Sequence, residues 1–191
     1  MKKLAIFDLD GTLLNTIADL AHSTNYALNK LGYPTHEIEK YNFMVGNGIN
    51  KLFERALPEG EKTEENVLRV RKEFIPYYDI HNADDSRPYP GVPELLTDHY
   101  FPNIHFTAVF GQREGISVKP DPTVVFDILK LTNVEKDEVL YIGDSGVDMQ
   151  TAANAGVTAC GVIWGFRPKS ELEEFKPAYI VDTTEKILSL F

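Results

Sequence analysis

Short apolar runs that end in aspartates constrain the fold of this chain more than any other feature of its sequence. Leu4–Phe7 leads directly into Asp8, and residues 139–142 lead through Gly143 into Asp144. Neither run alternates with polar residues, which is typical of a parallel strand buried on both faces. Helical spacing follows both runs, so we predict a doubly wound parallel α/β sheet. Ligands of such sheets bind at the carboxyl ends of the strands, where both aspartates lie.

A helical block separates the first run from the rest of the sheet. Residues 36–81 carry apolar residues at helical spacing and no strand-like run. A helix starting at Thr16 precedes them, with Asp19 at the spacing of a capping box. The polar stretch 82–86 follows. We therefore predict a core domain and a small all-helical cap subdomain. The core comprises residues 1–14 and 86–191, and the cap comprises residues 15–85.

The second half of the chain supplies the remaining predicted elements. A short helix at residues 94–98 precedes residues 106–110, which we interpret as a strand. Asp121 before Pro122 pairs a helix N-cap with a proline at the first helical position, so a helix begins there. Residues 157–163 form another apolar run and predict a strand.

Charge and composition limit the partners of this chain. The formal net charge of −10 over 191 residues argues against nucleic-acid or membrane-surface binding, because both need an excess of Lys and Arg. The N-terminal apolar run is interrupted at Asp8 and is too short for a secretory signal. The single cysteine has no partner for an internal disulfide. We expect a cytoplasmic protein, monomeric or homodimeric, that concentrates positive charge locally if it handles phosphate.

Two carboxylates one residue apart after a strand indicate a metal site. Asp8 and Asp10 would point the same way, and two like charges so close need compensation. A hard divalent cation such as Mg²⁺ supplies it, since Mg²⁺ prefers oxygen ligands. Backbone N–H groups at the turn formed by Gly11 and Thr12 are suited to cradle phosphate oxygens. The alternative is a hairpin turn, but helical spacing follows instead of a strand.

The second strand end repeats this arrangement. Asp144 would complete the metal site, and Ser145 and Asp148 would support it through hydrogen bonds. Taken alone, this segment is equally compatible with simple helix capping. Lys119 stands before a proline-rich segment, where its ammonium could neutralise a phosphoryl group. A lone lysine is more often a solvated surface charge, so its assignment rests on the acidic motifs around it.

Three motifs, in order, resemble the signature of the haloacid dehalogenase-like hydrolase superfamily. They are residues 8–13 (Asp-Leu-Asp-Gly-Thr-Leu), residues 119–122 (Lys-Pro-Asp-Pro) and residues 143–148 (Gly-Asp-Ser-Gly-Val-Asp). The likeness extends over nearly the whole chain. Residues 45–48 and 52–57 are also similar to the cap segment of phosphoglycolate phosphatases, and on that basis Asn47 and Arg55 are candidate substrate contacts. For these two residues, helix capping and a surface cation are at least as well supported.

The resemblance implies a mechanism and a cofactor. Asp8 would attack phosphorus, while Asp10 would protonate the leaving alcohol and later activate water. Mg²⁺ would be held by Asp8, the backbone carbonyl of Asp10 and Asp144. Lys119 would steady the charge of the transferring phosphate, and the cap would close over the substrate. Forming a covalent intermediate splits one difficult displacement into two easier steps.

One motif of the superfamily has no counterpart in this sequence. Relatives carry a Ser or Thr at the end of a second central strand, where its hydroxyl holds the transferring phosphate. Here Asp98 leads directly into residues 99–101, and the deficit is roughly two dozen residues, one βα unit. Thr97 and Thr107 are poor substitutes, since one falls in a predicted helix and the other at a strand start. Omitted residues, engineering and natural degeneration would each explain the gap.

The predicted function is hydrolysis of a small phosphomonoester, 2-phosphoglycolate, by an Mg²⁺-dependent phosphoric monoester hydrolase. A sugar-phosphate mutase of the β-phosphoglucomutase type and a pyrophosphatase are alternatives within the superfamily. A catalytically impaired member that acts as an interaction protein fits the missing motif. A receiver-type signalling module also clusters acids with a Thr and a Lys on a doubly wound sheet, but it has no cap.

Overall fold

The computed structural model describes residues 1–97, 106–111 and 115–191. These residues form two compact units, one of Met1–Leu14 with Pro88–Phe191 and one of Asn15–Arg87. The chain passes between the units twice, at β2 (Leu14–Asn15) and β3 (Arg87–Pro88), and these two segments pair with each other. The assignment of residues 15–85 as a cap subdomain stays a prediction.

The first unit is built on a parallel sheet. Its strands are β1 (Leu4–Phe7), β4 (Val139–Gly143), β5 (Thr158–Val162) and β6 (Tyr179–Val181). They lie in the order β1-β4-β5-β6, and each neighbouring pair is parallel. Apolar side chains pack in separate clusters around this sheet, with Tyr141 in one cluster and Ile142 in the other, as successive residues of a strand require. This architecture confirms the predicted α/β fold.

Helices accompany the strands of the first unit. They are α5 (Val92–Thr97), α6 (Thr123–Thr132), α7 (Gly146–Ala155), α8 (Lys169–Glu174) and α9 (Thr184–Leu188), with a 3₁₀ turn at Lys136–Glu138. The predicted capping of α6 is off by one residue, since Pro122 and not Asp121 is the N-cap and the helix begins at Thr123. The Asp121 carboxylate still accepts a hydrogen bond from the Thr123 N–H at 2.9 Å. The predicted end of α5 at Asp98 lies outside the described residues.

The predicted strand at residues 106–110 is wrong. These residues form no regular element, and Phe106 and Val109 are 56% and 81% exposed. A strand needs a neighbour to satisfy its backbone groups. Among the described residues, β1 has one strand neighbour, β4, and residues 106–110 do not pair with its other edge.

The second unit is helical, as the spacing predicts. Its helices are α1 (Ile17–Lys30), α2 (Ile38–Tyr41), α3 (Ile49–Ala56) and α4 (Glu64–His81). They enclose an apolar core around Phe53, Phe74 and Leu28, each fully buried. No helix of the described residues is both long and apolar enough to cross a membrane.

The capping box expected at the start of α1 does not form. Thr16 occupies the N-cap, but its side chain makes no capping hydrogen bond. The buried Asp19 carboxylate instead accepts hydrogen bonds from the Asp85 N–H at 2.9 Å, the Ser86 N–H at 2.8 Å and the Ser86 hydroxyl at 2.6 Å. A buried carboxylate is stable only when it is hydrogen-bonded, and the segment at residues 85–86 meets that need better than the helix end.

Candidate active site

The candidate site forms where β1 and β4 end side by side. Phe7 lies opposite Ile142 in the parallel register, and the Asp8 N–H donates to the Ile142 carbonyl at 2.9 Å. Asp8 and Asp144 therefore follow adjacent strand ends at one edge of the sheet. The sequence predicts this placement, because parallel strands bring their carboxyl ends together.

Three carboxylates converge at this edge. Asp8, Asp144 and Asp148 each present an oxygen atom, and these atoms lie within 4.8 Å of one another. Asp144 and Asp148 are 3% and 1% exposed, whereas the Asp8 side chain is 22% exposed. Hard oxygen donors at this spacing fit Mg²⁺, which takes carboxylates and keeps other positions for water and phosphate. The residues thus fit the implied metal.

Lys119 lies between two of these carboxylates. Its ammonium is 2.6 Å from Asp8 Oδ1 and 2.7 Å from Asp148 Oδ1. Because the lysine side chain is only 24% exposed, it is a partly buried charge with two partners rather than a solvated surface lysine. The structure therefore brings together Asp8, Lys119 and Asp148, which stand far apart in the sequence.

Asp148 also caps a helix. The Ser145 hydroxyl and N–H both donate to Asp148 Oδ2, at 2.6 and 3.2 Å, and the Asp148 N–H donates back to Ser145 Oγ at 3.4 Å. This is a capping box at the start of α7. The two interpretations of the segment are therefore compatible. One oxygen of Asp148 holds the helix end and the other binds Lys119.

Burial dominates the ionisation of the two strand-end aspartates. Burial, with a smaller contribution from the neighbouring Asp148, raises the pKa of Asp144 to about 7, while the hydrogen bond from the Phe166 N–H opposes the shift. Burial also raises the pKa of Asp8 to about 6, against the lowering effect of Lys119. Both carboxyls hold their protons more tightly than usual because burial disfavours their charged forms and the neighbouring acids repel them.

The charge on Lys119 is correspondingly secure. Burial alone would lower the pKa of its ammonium, but Asp148 and Asp8 outweigh burial and raise the pKa well above its ordinary value. When all are ionised, the three carboxylates and one ammonium carry a net negative charge. A divalent cation would neutralise that excess, which is the role predicted for Mg²⁺.

The turn after β1 is tight. Gly11 has a φ of +84° and its N–H donates to the Leu14 carbonyl at 2.8 Å, while the Thr12 N–H donates to the Leu9 carbonyl at 3.3 Å. Both amides that we expect to cradle phosphate are thus engaged within the turn. Asp10 is partly exposed and its carboxylate is not a member of the three-acid group. The roles of Asp10, Gly11 and Thr12 stay predictions.

A segment after β5 contacts the site, although from the sequence it falls only within the extent of the family resemblance and is assigned no site role. The Phe166 N–H donates to Asp144 Oδ2 at 2.7 Å, and Trp164 Nε1 donates to the Thr12 carbonyl at 3.0 Å. A glycine between two aromatic residues at a strand end is a signal of close backbone approach, and Gly165 fits it. The hydrogen-bond partners of Trp164 and Phe166 could not be predicted from the sequence.

The two candidate cap residues bind each other. Arg55 Nη2 donates to Asn47 Oδ1 at 2.7 Å, and Arg55 Nη1 donates to the Met44 carbonyl at 2.8 Å. Arg55 is therefore held within the helical unit by contacts that order the segment before α3. Substrate contact by Asn47 and Arg55 stays a prediction.

Comparison with known proteins identifies a family whose model matches most of the chain. The model for haloacid dehalogenase-like hydrolases matches residues 5–100 and 98–162. The match is made of two segments that meet at residues 98–100. The sequence predicts its missing βα unit immediately after Asp98, at the same place.

Curated relatives and solved structures agree with this match. A phosphoglycolate phosphatase of Haemophilus influenzae is 30% identical over 218 residues, covering 98% of this chain and 97% of the relative. One from Vibrio parahaemolyticus is 28% identical over 218 residues, covering 98% and 95%. The crystal structure of a phosphoglycolate phosphatase candidate from Lactobacillus delbrueckii has a TM-score of 0.88 and 29% identity, covering 100% of this chain and 98% of its own.

The alignments with the two curated relatives are also longer than this chain. They extend over 218 positions, whereas this chain has 191 residues. Neither substitute for the missing hydroxyl is placed well. Thr107 is exposed and belongs to no strand, and Thr97 ends the short helix α5. Ser145 follows the end of β4, but its hydroxyl is bound to Asp148. On the other side of β1, the described residues offer no strand and therefore no Ser or Thr at a strand end.

Proposed function

Because the chain belongs to the haloacid dehalogenase-like hydrolases and, as predicted, to the phosphoric monoester hydrolases among them, we propose that it hydrolyses a small phosphomonoester with Mg²⁺ through an aspartyl-phosphate. The observation that carries the proposal is the meeting of Asp8 and Lys119 at 2.6 Å beside Asp144 and Asp148. A nucleophile, a cation and a set of oxygen ligands lie together at the carboxyl end of a parallel sheet.

The proposed first step transfers the phosphoryl group to Asp8. An oxygen of the Asp8 carboxylate forms a bond to phosphorus as the bond from phosphorus to the substrate oxygen breaks. Asp10 gives its proton to the leaving alcohol. Lys119, already 2.6 Å from Asp8 Oδ1, reduces the repulsion between the anionic nucleophile and the anionic phosphate.

The second step returns Asp8 to its starting state. Asp10, now ionised, takes a proton from a water molecule that attacks phosphorus, and the bond from phosphorus to the Asp8 oxygen breaks. Inorganic phosphate leaves, and Asp10 is again protonated. The same residue acts first as acid and then as base, so each turnover ends with the proton inventory unchanged.

Mg²⁺ would be held by Asp8, Asp144 and the backbone carbonyl of Asp10, with Asp148 oriented by its bonds to Ser145 and Lys119. When bound, it would supply charge neutralisation for the phosphate oxygens. Without it, the raised pKa values of Asp8 and Asp144 keep part of the site protonated near pH 6 to 7. Protonated Asp8 is a poor nucleophile, so these residues favour a cation-loaded site.

The proposed substrate is 2-phosphoglycolate. It is supported by relatives called phosphoglycolate phosphatases that cover nearly the whole chain at 28–30% identity. A small phosphorylated acid also suits an enzyme that carries its positive charge locally within an acidic chain. Sugar-phosphate mutase and pyrophosphatase activities are the alternatives to be assayed in parallel. The protein would work in the cytoplasm as a monomer or homodimer.

Three observations favour a second candidate, a catalytically impaired family member. The family match breaks at residues 98–100, the alignments with relatives are longer than this chain, and β1 has no described strand on its second side. The hydroxyl that would hold the phosphate opposite Asp8 is missing from the described strand ends. Such a protein would keep the metal site but turn over slowly.

Phosphate release separates the two candidates. Purified protein whose intact mass matches 21.5 kDa is incubated with 2-phosphoglycolate, with Mg²⁺ or with a chelator, beside the Asp8→Asn variant. The proposed hydrolase releases phosphate only with Mg²⁺ and only in the unaltered protein. Equal release by both proteins contradicts Asp8 as nucleophile. Mg²⁺ binding without phosphate release from 2-phosphoglycolate, and without mutase or pyrophosphatase activity in the parallel assays, supports the impaired member.

A further inference from the structure

The segment that follows β5 touches the candidate site at three consecutive residues. Trp164, Gly165 and Phe166 lie beyond the end of β5, and each is partly buried. None belongs to the three sequence motifs. We infer that these residues, the post-β5 clamp, position the metal ligand Asp144 and the turn that carries Asp8 and Asp10. The inference rests on the metal site of the proposed function and assigns new residues to it.

Phe166 acts on Asp144 directly. Its N–H donates to Asp144 Oδ2 at 2.7 Å, a short hydrogen bond to a carboxylate. The bond engages one oxygen of the carboxylate and thereby fixes the orientation of the group that joins the cluster with Asp8 and Asp148. Partners of this kind orient metal ligands, and their loss typically costs 10–100-fold in metal affinity.

Gly165 brings the segment close enough for that bond. A Cβ at this position would lie 2.3 Å from Asp144 Cβ and 2.3 Å from the Gly11 carbonyl oxygen. Both distances are far below van der Waals contact, so any side chain would push Asp144 and the turn after β1 away from the clamp. The glycine is required here by space.

Trp164 connects the clamp to the turn after β1. Its indole Nε1 donates to the Thr12 carbonyl at 3.0 Å, which ties the clamp to the turn after β1. Gly11 completes the contact, since a Cβ there would lie 2.4 Å from Asp144 Oδ2. The clamp therefore sets the distance between the turn that carries Asp8 and Asp10 and the strand end that carries Asp144.

The test measures the affinity for Mg²⁺ alone, by calorimetry on folded, metal-free protein. Gly165→Ala should raise the Kd for Mg²⁺ by about 10–100-fold. Gly111→Ala is the matched control, because a Cβ there meets no atom of the described residues within 4 Å, and its Kd should stay within about twofold of the parent. Trp164→Phe keeps an aromatic ring but removes the donor, and should raise the Kd by about threefold to tenfold.

A substitution at a third glycine distinguishes an effect on Mg²⁺ binding from a general loss of stability. Gly161→Ala in β5 would place its Cβ 3.1 Å from Leu172 Cδ1, so it should lower the free energy of unfolding while leaving the Kd for Mg²⁺ unchanged. If Gly165→Ala does not fold, Trp164→Phe decides the matter. Parent-like affinity in Gly165→Ala, or in Trp164→Phe where the first variant is unfolded, overturns the clamp. Failure of the unaltered protein to bind Mg²⁺ overturns the metal site of the proposed function, and the clamp with it.

Discussion

Strands β1 and β4 are parallel neighbours in one sheet, yet they are buried to very different degrees. All five residues of β4 are buried, whereas only Ile6 of β1 is. β4 has a strand on each side, β1 and β5, while β1 ends the strand order among the described residues. The aspartates of the candidate site therefore follow strands that differ in how well they are packed. Asp144 follows a fully packed strand and Asp8 follows an edge strand.

The helices beside these strands repeat the contrast. Six residues of α7 are buried, and its capping box fixes its start. α6 is more apolar, yet Val125 is its only buried residue, and Phe126 and Leu131 are 40% and 58% exposed. Burial of β4 and α7 therefore fixes the positions of Asp144 and Asp148. The position of Asp8 depends more on its ion pair with Lys119 and on the contacts of the clamp with the turn after β1.

The largest effect on activity is expected from removing Lys119, whose ammonium links Asp8 after β1 to Asp148 after β4. Lys119→Met removes the cation that bridges Asp8 and Asp148, so Asp8 loses its neutralising partner as it approaches phosphate. Phosphate release from 2-phosphoglycolate should fall by about 10²–10³-fold. Lys130→Met on the exposed surface of α6 is the control and should keep parent activity. Activity above half in Lys119→Met would remove the bridge from the mechanism.

Burial itself is compared by one substitution made in each strand. Leu140→Ala in β4 deletes a fully buried side chain and should lower the free energy of unfolding by about 2–5 kcal/mol. Leu4→Ala in β1 deletes a partly exposed one and should cost clearly less, about 1–2 kcal/mol. Urea unfolding of both variants measures the difference. Equal losses would show that the second side of β1 is covered in solution.

Proton linkage gives a third comparison. Burial raises the pKa of Asp144 to about 7 from an ordinary 3.8. The folded, metal-free protein therefore binds a proton that the unfolded chain lacks between these values. Stability from this carboxyl is fully present below about pH 4 and is lost as the pH rises to about 7, by about 1.4 kcal/mol per pH unit.

Asp144→Asn should remove this contribution and make the plot of unfolding free energy against pH shallower between about pH 5 and 7. The slope that remains below about pH 6 comes from Asp8, whose pKa burial also raises to about 6. Asp182→Asn is the control, since the side chain of Asp182 is 51% exposed and its bond to Lys186 lowers rather than raises its pKa. Denaturant titrations in the presence of a chelator provide the curves. An unchanged slope in Asp144→Asn would mean that this carboxyl is not buried in solution.

The smallest effect is expected on α6. Phe126 is 40% exposed and contacts the Lys136 ammonium at 4.7 Å from its ring centre. Phe126→Ala should change the free energy of unfolding by less than about 1 kcal/mol, the value of an exposed cation–π contact. A loss of about 3–5 kcal/mol, as for a buried phenylalanine, would show that something covers this face.

The sequence predicts β1, β4 and β5 correctly because apolar runs without alternation follow from burial inside a parallel sheet. It fails at residues 106–110, an apolar run that pairs with no strand among the described residues. β6 escaped prediction for the opposite reason. It has only three residues, and Tyr179 within it is 41% exposed, so its pattern is too short to distinguish from a loop.

The site divides in the same way. Asp8, Asp144, Asp148 and Lys119 were found from motifs and strand ends, and the structure brings them together. Motifs and strand ends do not predict the hydrogen bond from Trp164 to Thr12, since the two residues are 152 positions apart. Contacts of that range depend on the path of the chain after β5, which no local pattern encodes.

Direct detection of the covalent intermediate tests the central claim that Asp8 is the nucleophile. The protein is mixed with 2-phosphoglycolate and Mg²⁺, quenched in acid, and its peptides are analysed by mass spectrometry. The account predicts one phosphoryl group on the peptide that contains Asp8, and none in Asp8→Asn. A phosphoryl group on a different residue, or phosphate release by Asp8→Asn at the parent rate, would contradict it.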